Sequence, residues 1–395
     1  MTGEAALNRR IRRHVTGPTQ DFFAVAGPGL EAVCSRELTA MGGDISVAKQ
    51  VFGGVEFSGR VYDCYRANLW ISTAGRILMR IGAFRADSFA MLEKRVKAFP
   101  WELYLRPGSE PVINAATHQS RLYHKQAISE RFSAGIADRL TRLGLSGGDG
   151  YKPSSIPQIY VRASHDHFVL SLDSSGTNLH KRGFKTSGGS APIRETIAAA
   201  ALVFAGYTGT EPLLDPLCGT GTFSLEAAMK VKQMPQGWFR GFGFMDWPCF
   251  RPRQLVHIRR KAESSFLDSP RPMVFASDIN EKSVQQLHAI VRDQHLSDVV
   301  QVVRRDFLDI TKSDLPGPKG LVVINPPYGR RLGTLSGSEK LFQEICLKLR
   351  SEFSGWKTVL VAFNRRMAEQ VGFKTVSHRF LHGGLDLRLL IGRIP

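Results

Sequence analysis

The sequence predicts an α/β fold in which a mostly parallel sheet follows a separate α+β module. From residue 193 onward, apolar runs of strand length alternate with helical patterns, which is typical of a parallel sheet. The chain then closes with two strand-like segments, 373–380 and 385–391, that are joined through Gly383 and Gly384. This hairpin predicts an antiparallel edge on the sheet. Before residue 180, strand pairs joined by short turns predict the α+β module.

Length and composition favour a multidomain protein with a polyanionic partner. The 395 residues allow two or three domains, and an apolar content of 43% suits a well-packed core. Lys and Arg number 53 against 35 Asp and Glu, a formal net charge of +18. This excess favours nucleic acid over a membrane as partner, although a basic surface without a specific partner is an equal alternative.

Cysteine usage and apolar patterning predict a cytoplasmic location. The five cysteines show no C-x-x-C spacing, which fits a reducing cytosol rather than a disulfide framework. No run reaches the roughly 18 apolar residues of a membrane span, and the N-terminus lacks the apolar core of a secretory signal. The histidines are scattered, so no metal site is predicted.

The first 180 residues divide into three predicted parts. Residues 1–19 are predicted to be a disordered basic arm, because Arg9, Arg10, Arg12 and Arg13 precede a Gly-Pro pair. Residues 20–75 predict a compact βαββα subdomain. Residues 76–180 predict a second α+β unit, with a long helix over 127–143 and paired strands at 159–163 and 168–172.

Residues 181–395 form the predicted parallel-sheet domain. A helix over 193–204 precedes a strand at 213–217 and a helix at 222–231. After an insertion, 232–271, the pattern predicts helices at 281–292 and 338–352. It predicts strands at 273–277, 299–303, 320–324 and 357–363.

The turn after the first strand of this domain predicts a binding crevice. Asp215 ends the apolar run. The turn that then leads into the helix consists of Pro216, Leu217, Cys218, Gly219, Thr220, Gly221 and Thr222. Carboxyl ends of parallel strands form such crevices, and the glycines let the backbone approach a ligand. The spacing departs from the dinucleotide fingerprint, because Ser224 stands where its third glycine would fall. An acid here would repel a pyrophosphate but suits the ammonium group of S-adenosylmethionine.

Two further acids follow the next strands. Asp278 ends an apolar run and can bind both hydroxyls of a ribose, although Asp278 or Asn280 could instead cap the following helix. Asp306 is placed to accept a hydrogen bond from an adenine amine, with Phe307 or Ile279 against the ring. A solvated loop acid is the alternative for Asp306.

The segment Asn325-Pro326-Pro327-Tyr328 carries the sharpest chemical signal. An exocyclic base amine is a poor nucleophile, because its lone pair is delocalised into the ring. Asn325 Oδ1 and the Pro326 carbonyl can each accept one N–H bond, which orients the lone pair toward a methyl donor. Pro326 and Pro327 fix the backbone, and Tyr328 can stack on an extruded base.

Basic residues near these segments predict contacts with phosphates. Lys181, Arg182 and Lys185 form a basic loop, with a charged linker as the alternative. Arg330 and Arg331 follow the Asn325 segment closely enough to reach phosphates beside a target base. The insertion mixes aromatic and cationic residues, which suits single-stranded RNA, but its aromatics could equally pack a lid onto the core.

Several of these strings resemble one family. Three strings resemble the ferredoxin-like and THUMP modules of RNA-modifying enzymes: Ala26-Gly27-Pro28-Gly29-Leu30-Glu31, Arg76-Ile77-Leu78 and residues 178–185. Residues 190–200 are similar to the entry into the methyltransferase domain of the guanine-N2 methyltransferase family of large-subunit rRNA. The Asp215–Gly221 string resembles motif I of class I methyltransferases. The Asn325–Tyr328 string resembles the motif of methyltransferases that act on exocyclic base nitrogens.

The resemblance implies a Rossmann-like class I methyltransferase domain, residues 181–395, behind a ferredoxin-like subdomain, 20–75, and a THUMP domain, 76–180. It further implies S-adenosylmethionine as cofactor, RNA as partner and guanine N2 in large-subunit rRNA as target. Related tRNA guanine-N2 methylation, DNA adenine-N6 methylation and a non-catalytic RNA-binding assembly factor are the alternatives. Family members with a second methyltransferase domain exist, and only the first activity is implied here.

Overall fold

The protein contains two seven-stranded sheets, one from each half of the chain. The computed structural model describes residues 2–145, 147, 155–184, 193–327, 335–382 and 385–395. A mostly parallel sheet with an antiparallel hairpin follows an α+β module, so the predicted fold class is confirmed. No helix within these described ranges combines the length and the apolar character that crossing a membrane requires.

The first sheet has the strand order β2-β3-β1-β4-β7-β6-β5. Its strands are β1 Gln20–Ala26, β2 Ser46–Val51, β3 Gly54–Gly59, β4 Ala74–Arg85, β5 Val112–His118, β6 Gln158–Ser164 and β7 His167–Asp173. Its helices are α1 Thr2–Ile11, α2 Glu31–Met41, α3 Val61–Trp70, α4 Phe89–Ala98 and α5 Lys125–Arg142. Neighbouring strands of this sheet pair antiparallel, except for β5 and β6, which run parallel. Strand β4 crosses the predicted 75/76 boundary at the centre of the sheet, so the two predicted subdomains share this sheet and their division stays a prediction.

The N-terminal segment corrects the prediction of a disordered arm. Residues 2–11 form α1, and residues 12–16 extend it as one wider helical turn. Ile11 and Val15 are buried in the core, and Leu7 packs beside them. Arg10 forms an ion pair with the buried carboxylate of Glu102 at 2.9 Å. The i, i+4 spacing of Leu7, Ile11 and Val15 was the available signal, and the cluster of arginines obscured it.

The second sheet has the strand order β10-β9-β8-β11-β12-β14-β13. Its strands are β8 Leu213–Asp215, β9 Val274–Asp278, β10 Val300–Arg304, β11 Leu321–Ile324, β12 Lys357–Ala362, β13 Thr375–His382 and β14 Leu385–Arg393. Its helices are α6 Glu195–Phe204, α7 Thr222–Val231, α8 Pro252–Glu263, α9 Glu281–Asp293, α10 Leu335–Glu352 and α11 Arg365–Glu369. Strands β8 to β12 run parallel, while β14 pairs antiparallel with both β12 and β13.

The position of β8 determines where a ligand can bind. This strand lies between β9 and β11 and pairs in parallel with both, at Leu214↔Phe275 and Leu214↔Val322. The carboxyl ends of all three strands therefore meet at one edge of the sheet. The turn after Asp215, the end of β9 at Asp278 and the Asn325 segment after β11 are brought together there.

The insertion packs between the two halves of the molecule. Phe242, Phe244 and Trp247 are buried, and the Phe244 ring stacks on Tyr65 of α3 with centroids 4.3 Å apart. Gly237 donates a backbone hydrogen bond to Leu69, also on α3, at 2.9 Å. For these aromatic residues the packing alternative is therefore correct.

Candidate active site

A pocket of about 420 Å³ lies at the carboxyl ends of β8, β9 and β11. Most of the predicted cofactor residues line it. The lining residues are Ile193, Asp215, Leu217, Cys218, Gly219, Thr220, Thr222, Phe223, Asp278, Ile279, Asn280, Ser283, Gln286, Asn325 and Pro327. Pro216 and Gly221 belong to the same turn but do not line the pocket. No cluster of three or more potential metal ligands occurs in the described part of the chain.

Asp215 is held rigidly at the end of β8. Its side chain is buried, with only 2% of the residue exposed. Ser224 in α7 donates to Asp215 Oδ2 from its backbone N–H at 3.2 Å and from its hydroxyl at 2.7 Å. Both donors lie in the first turn of α7, at the positive end of the helix. The pocket therefore has a rigidly held carboxyl group beside the glycine turn, a group type that suits a cationic ligand.

The two glycines of the turn have different roles. Both have left-handed backbones, with φ of 52° at Gly219 and 78° at Gly221. A Cβ at Gly219 would meet no atom within 4 Å, so this backbone faces the open pocket. A Cβ at Gly221 would clash with the Leu287 side chain of α9. Gly219 therefore leaves room for a ligand, whereas Gly221 allows α7 and α9 to pack closely.

Asp278 connects the end of β9 to the glycine turn. Its Oδ2 accepts a hydrogen bond from the Gly219 N–H at 2.9 Å, and its Oδ1 accepts one from the Asn280 N–H at 2.8 Å. Asn280 caps α9, because its side chain accepts from the Ser283 N–H at 3.0 Å. The capping role therefore belongs to Asn280. The Asp278 carboxylate lines the pocket, where its remaining lone pairs can accept from a diol.

Asn325 lies directly after β11 in the opposite wall of the pocket. Its Oδ1 atom is buried and has no hydrogen-bond partner within the described part of the chain. Leaving such an acceptor unpaired costs about 1–3 kcal/mol, so its position in a pocket wall calls for a ligand that donates. Burial raises the pKa of the nearby Cys218 thiol well above its ordinary value, with Asp215 and Asp278 adding to the effect. The thiol therefore stays neutral.

The predicted adenine contacts are only partly supported. Ile279 lines the pocket and is 61% exposed, so its side chain is available to an aromatic ring. Phe307 is instead buried in the core and stacks on Phe353 with centroids 6.1 Å apart, so its predicted ring contact is wrong. Asp306 accepts a hydrogen bond from the Leu308 N–H at 2.9 Å and does not line the pocket. Its contact with an adenine amine stays a prediction.

Arg182 is not available to RNA, which corrects the prediction. Only 3% of the residue is exposed, and its guanidinium forms a bidentate ion pair with Glu226 of α7 at 2.8 and 3.2 Å. It also donates to the carbonyls of Ser72 and Leu179. Lys181 is exposed, and its contact with a phosphate stays a prediction. Tyr328, Arg330, Arg331 and Lys185 lie outside the described residues.

Sequence patterns missed four groups that contribute to the site or its support. Ile193, Ser283 and Gln286 line the pocket, but none stands in a motif at a strand end. Arg240 of the insertion donates to the carbonyls of Ser175, Thr177, Asn178 and Lys181 at 2.6–3.0 Å. Arg240 therefore holds the connection between the two halves, and no local pattern signals a cation that binds backbone carbonyls.

Two family models match the chain. A model described as an RMKL-like methyltransferase domain matches residues 182–387, and a model of the RlmL ferredoxin-like domain matches residues 21–78. The chain belongs to the RMKL-like methyltransferase family. The matched residues include both the turn after Asp215 and the Asn325 segment, so the pocket lies within the family's catalytic domain. The resemblance seen in the sequence is confirmed.

Curated relatives of this methyltransferase family match nearly the whole chain. A Synechocystis protein, provisionally named an RNA methyltransferase, is 32% identical over 94% of this chain and 96% of its own length. A ribosomal RNA large subunit methyltransferase K/L of Methylococcus capsulatus is 31% identical over 94% of this chain but 51% of its own length. The chain thus spans about half of that K/L protein.

Solved structures share the fold of this RMKL-like chain. A provisionally assigned methyltransferase in complex with S-adenosylhomocysteine is 26% identical, with a TM-score of 0.84 over 95% of this chain and 98% of its own. A Listeria monocytogenes protein, described as a predicted N6-adenine-specific DNA methylase, is 27% identical, with a TM-score of 0.83 over 94% of this chain and 96% of its own.

Removing the Asp278 carboxylate tests whether this residue binds a nucleoside ribose. We expect Asp278→Ala to weaken S-adenosylhomocysteine binding at least roughly 10-fold, because both a charged acceptor and the support of the Gly219 turn are lost. Isothermal titration calorimetry measures the affinity. Asp309→Ala removes an exposed carboxylate from the turn after β10 that does not line the pocket, and it is the charge-matched control. Equal affinity of the two variants would refute the ribose contact.

Proposed function

We propose that this protein is an S-adenosylmethionine-dependent RNA methyltransferase that methylates the exocyclic N2 of a guanine in large-subunit rRNA. The observation that carries the proposal is the buried, unpaired Asn325 Oδ1 in the wall of the pocket. Of the buried side-chain atoms without a partner among the described residues, it alone belongs to a residue that lines this pocket. An acceptor in that position suits a substrate N–H.

The pocket residues fit S-adenosylmethionine. In this proposal the Asp215 carboxylate holds the ammonium group, Asp278 holds the ribose hydroxyls and Ile279 covers one face of the adenine. The open space beside Gly219 leaves room for the amino acid part of the cofactor. When bound, the cofactor supplies an electrophilic methyl group. The neighbour that was solved with S-adenosylhomocysteine supports this choice of ligand.

The chain's contribution to the reaction is positioning rather than general base catalysis. Asn325 Oδ1 and the Pro326 carbonyl would each accept one hydrogen of the target amine, which turns the nitrogen lone pair toward the methyl donor. Prolines 326 and 327 restrict the backbone, so these acceptors do not have to be ordered at each turnover. A preorganised acceptor of this kind typically contributes 10²–10³ in rate. Tyr328 is proposed, from the sequence, to stack on the extruded base.

RNA is the proposed substrate because of the names of the relatives and the charge of the chain. The Synechocystis and Methylococcus proteins carry RNA methyltransferase names, and the formal net charge of +18 suits a polyanion. Exposed Lys181 is a proposed phosphate contact, as are Lys185, Arg330 and Arg331 from the sequence. An rRNA substrate also implies a cytoplasmic location. Adenine-N6 methylation of DNA is the second candidate, because the Listeria neighbour is described in those terms.

The proposal is tested by mapping modified nucleosides. Total rRNA, tRNA and DNA from a strain that lacks the gene are digested and compared with the parent by mass spectrometry. We expect N2-methylguanosine to disappear from one position of the large-subunit rRNA and to return with the wild-type gene but not with Asn325→Ala. Loss of the mark from tRNA, or of N6-methyladenine from DNA, would refute the assigned substrate. An unchanged set of nucleosides in all three pools would contradict the methyltransferase proposal.

A further inference from the structure

A second groove lies between helices α2 and α3 of the N-terminal module and helix α8 of the insertion. It has a volume of about 710 Å³ and shares no lining residue with the active-site pocket. One wall carries the aromatic residues Tyr62 and Trp70 of α3, and the opposite wall carries Lys261 of α8. Both aromatic side chains are only partly buried, and they pack against the core on their other side. The groove therefore places ring surfaces opposite a cation.

The carboxylates near this groove are already satisfied. Both oxygens of Glu37 accept hydrogen bonds from the backbone N–H and hydroxyl groups of Ser72 and Thr73. Asp63 is paired with Arg66 at 2.9 Å. Lys261 has no carboxylate within 4 Å among the described residues. Of the charged side chains that line the groove, Arg66 and Lys261 are cations and Glu37 is an anion, so the lining has a small net positive charge that an anionic ligand would complement.

The positive charge of Lys261 in the groove continues along one face of α8. Leu255, Ile258 and Ala262 bury the opposite face of the helix, which packs against α3. The exposed face carries Arg253 and Arg260, neither of which has a carboxylate within 4 Å in the described part of the chain. Glu263 is the only acid of α8 and stands at its last position. The helix therefore presents a strip of unpaired positive charge to solvent.

The N-terminal segment extends this strip. Arg251, at the start of α8, donates to the Thr16 hydroxyl at 3.2 Å, which joins the two segments. Arg9, Arg12 and Arg13 are exposed on the N-terminal segment, and none has a carboxylate within 4 Å among the described residues. The sequence thus builds one continuous basic face from two segments that are more than 200 positions apart.

We propose that this groove and the basic face of α8 bind a single-stranded segment of the RNA substrate. A base would stack on Trp70 and Tyr62, while the phosphates on either side contact Lys261, Arg260 and the arginines toward Thr16. Alternating ring surfaces and cations are what single-stranded RNA requires, because bases stack and the backbone needs counter-charges. The inference rests on the proposed function. It adds an RNA contact outside the pocket that holds the reacting base.

The charge part of the inference is tested with a matched pair of double variants. Arg260→Gln/Lys261→Gln removes two charges from the face. Lys319→Gln/Lys374→Gln removes two exposed charges beside the starts of β11 and β13, at the sheet edge opposite the active-site pocket. Affinity for a labelled single-stranded RNA of about 12 nucleotides is measured by fluorescence anisotropy over a range of salt concentrations.

We expect the α8 variant to bind RNA roughly 10- to 30-fold more weakly near 0.1 M salt and its salt slope to fall by about 1.4, for two lost phosphate contacts. The control should stay within two-fold of the wild type. An α8 variant that binds like the control would overturn the inference. The readout is binding alone, so it is independent of methyl transfer. If the nucleoside mapping shows no lost methylation but the α8 variant binds RNA more weakly, the proposed reaction is contradicted. The proposal that the groove binds RNA is then retained.

The stacking part is tested at Trp70. A base stacked on this ring should quench its fluorescence, and Trp70→Phe should abolish that component while keeping affinity within about three-fold. Trp70→Leu, which removes the ring, should weaken binding roughly 10-fold. Circular dichroism verifies that both variants are folded, because Trp70 also packs against the core. Quenching that persists in Trp70→Phe would show that the base stacks elsewhere and overturn the proposed position.

Discussion

Replacing Asn325 with alanine is expected to lower the turnover number for methyl transfer by at least ~10²-fold while cofactor affinity stays within a few-fold. The physical reason is the unpaired Oδ1 atom, buried after β11 in the wall of the pocket. In the proposed reaction this oxygen meets its donor only when the target amine enters, so its loss affects the bound substrate rather than the free cofactor. Single-turnover kinetics on purified RNA measures the rate, and calorimetry with S-adenosylhomocysteine measures the affinity.

Two further variants make this test specific to the acceptor. Asn325→Asp retains an acceptor oxygen and should keep clearly more activity than the alanine variant. Asn364→Ala also removes an asparagine beside a strand end, where Oδ1 accepts from the Met367 N–H at 2.7 Å and caps α11. It should retain near wild-type turnover, because Asn364 does not line the pocket. Equal turnover in wild type and Asn325→Ala would remove the acceptor role altogether.

The fold and the core of the site could be predicted because their signals are local. A parallel sheet requires alternation of strands and helices, and its ligands bind at the carboxyl ends of strands. Asp215, Asp278 and Asn325 each follow an apolar run, so their convergence on one pocket follows from strand order alone. The acid, glycine and amide types then indicate the ligand chemistry.

The incorrect predictions concern residues whose environment is set by distant parts of the chain. Phe307 follows a strand like the pocket residues, yet it packs on Phe353 of the segment after α10. The arginines at the N-terminus suggested a solvated tail, but Ile11 and Val15 insert into the core. Phe353, the partner of Phe307, is more than 40 positions away in the sequence. The apolar spacing of Ile11 and Val15 is hidden by the arginines around them. Burial and pairing of charges cannot be derived from composition.

Arg182 is a further residue whose environment is set by distant parts of the chain. Its guanidinium is buried between three parts of the protein: Ser72 in the N-terminal module, Leu179 in the connection and Glu226 in α7. We expect Arg182→Met to reduce the free energy of unfolding by about 3–5 kcal/mol, because the buried Glu226 carboxylate loses its bidentate ion pair with Arg182. Denaturant titration followed by circular dichroism measures this loss.

A double variant separates the buried charge from the packing. Arg182→Met/Glu226→Leu removes both charges and should be more stable than Arg182→Met alone, because the buried carboxylate is removed together with its arginine partner. Its stability should remain below that of the wild type, since the Ser72 and Leu179 carbonyls still lose their donor.

The same variants decide between a structural role and an RNA-contacting role for Arg182. With only 3% of Arg182 exposed, RNA affinity of the folded double variant should stay within two-fold of the wild type. A double variant with wild-type stability but a clearly weakened RNA complex would return Arg182 to the RNA-contacting surface, since loss of a phosphate contact reduces affinity without affecting the interior.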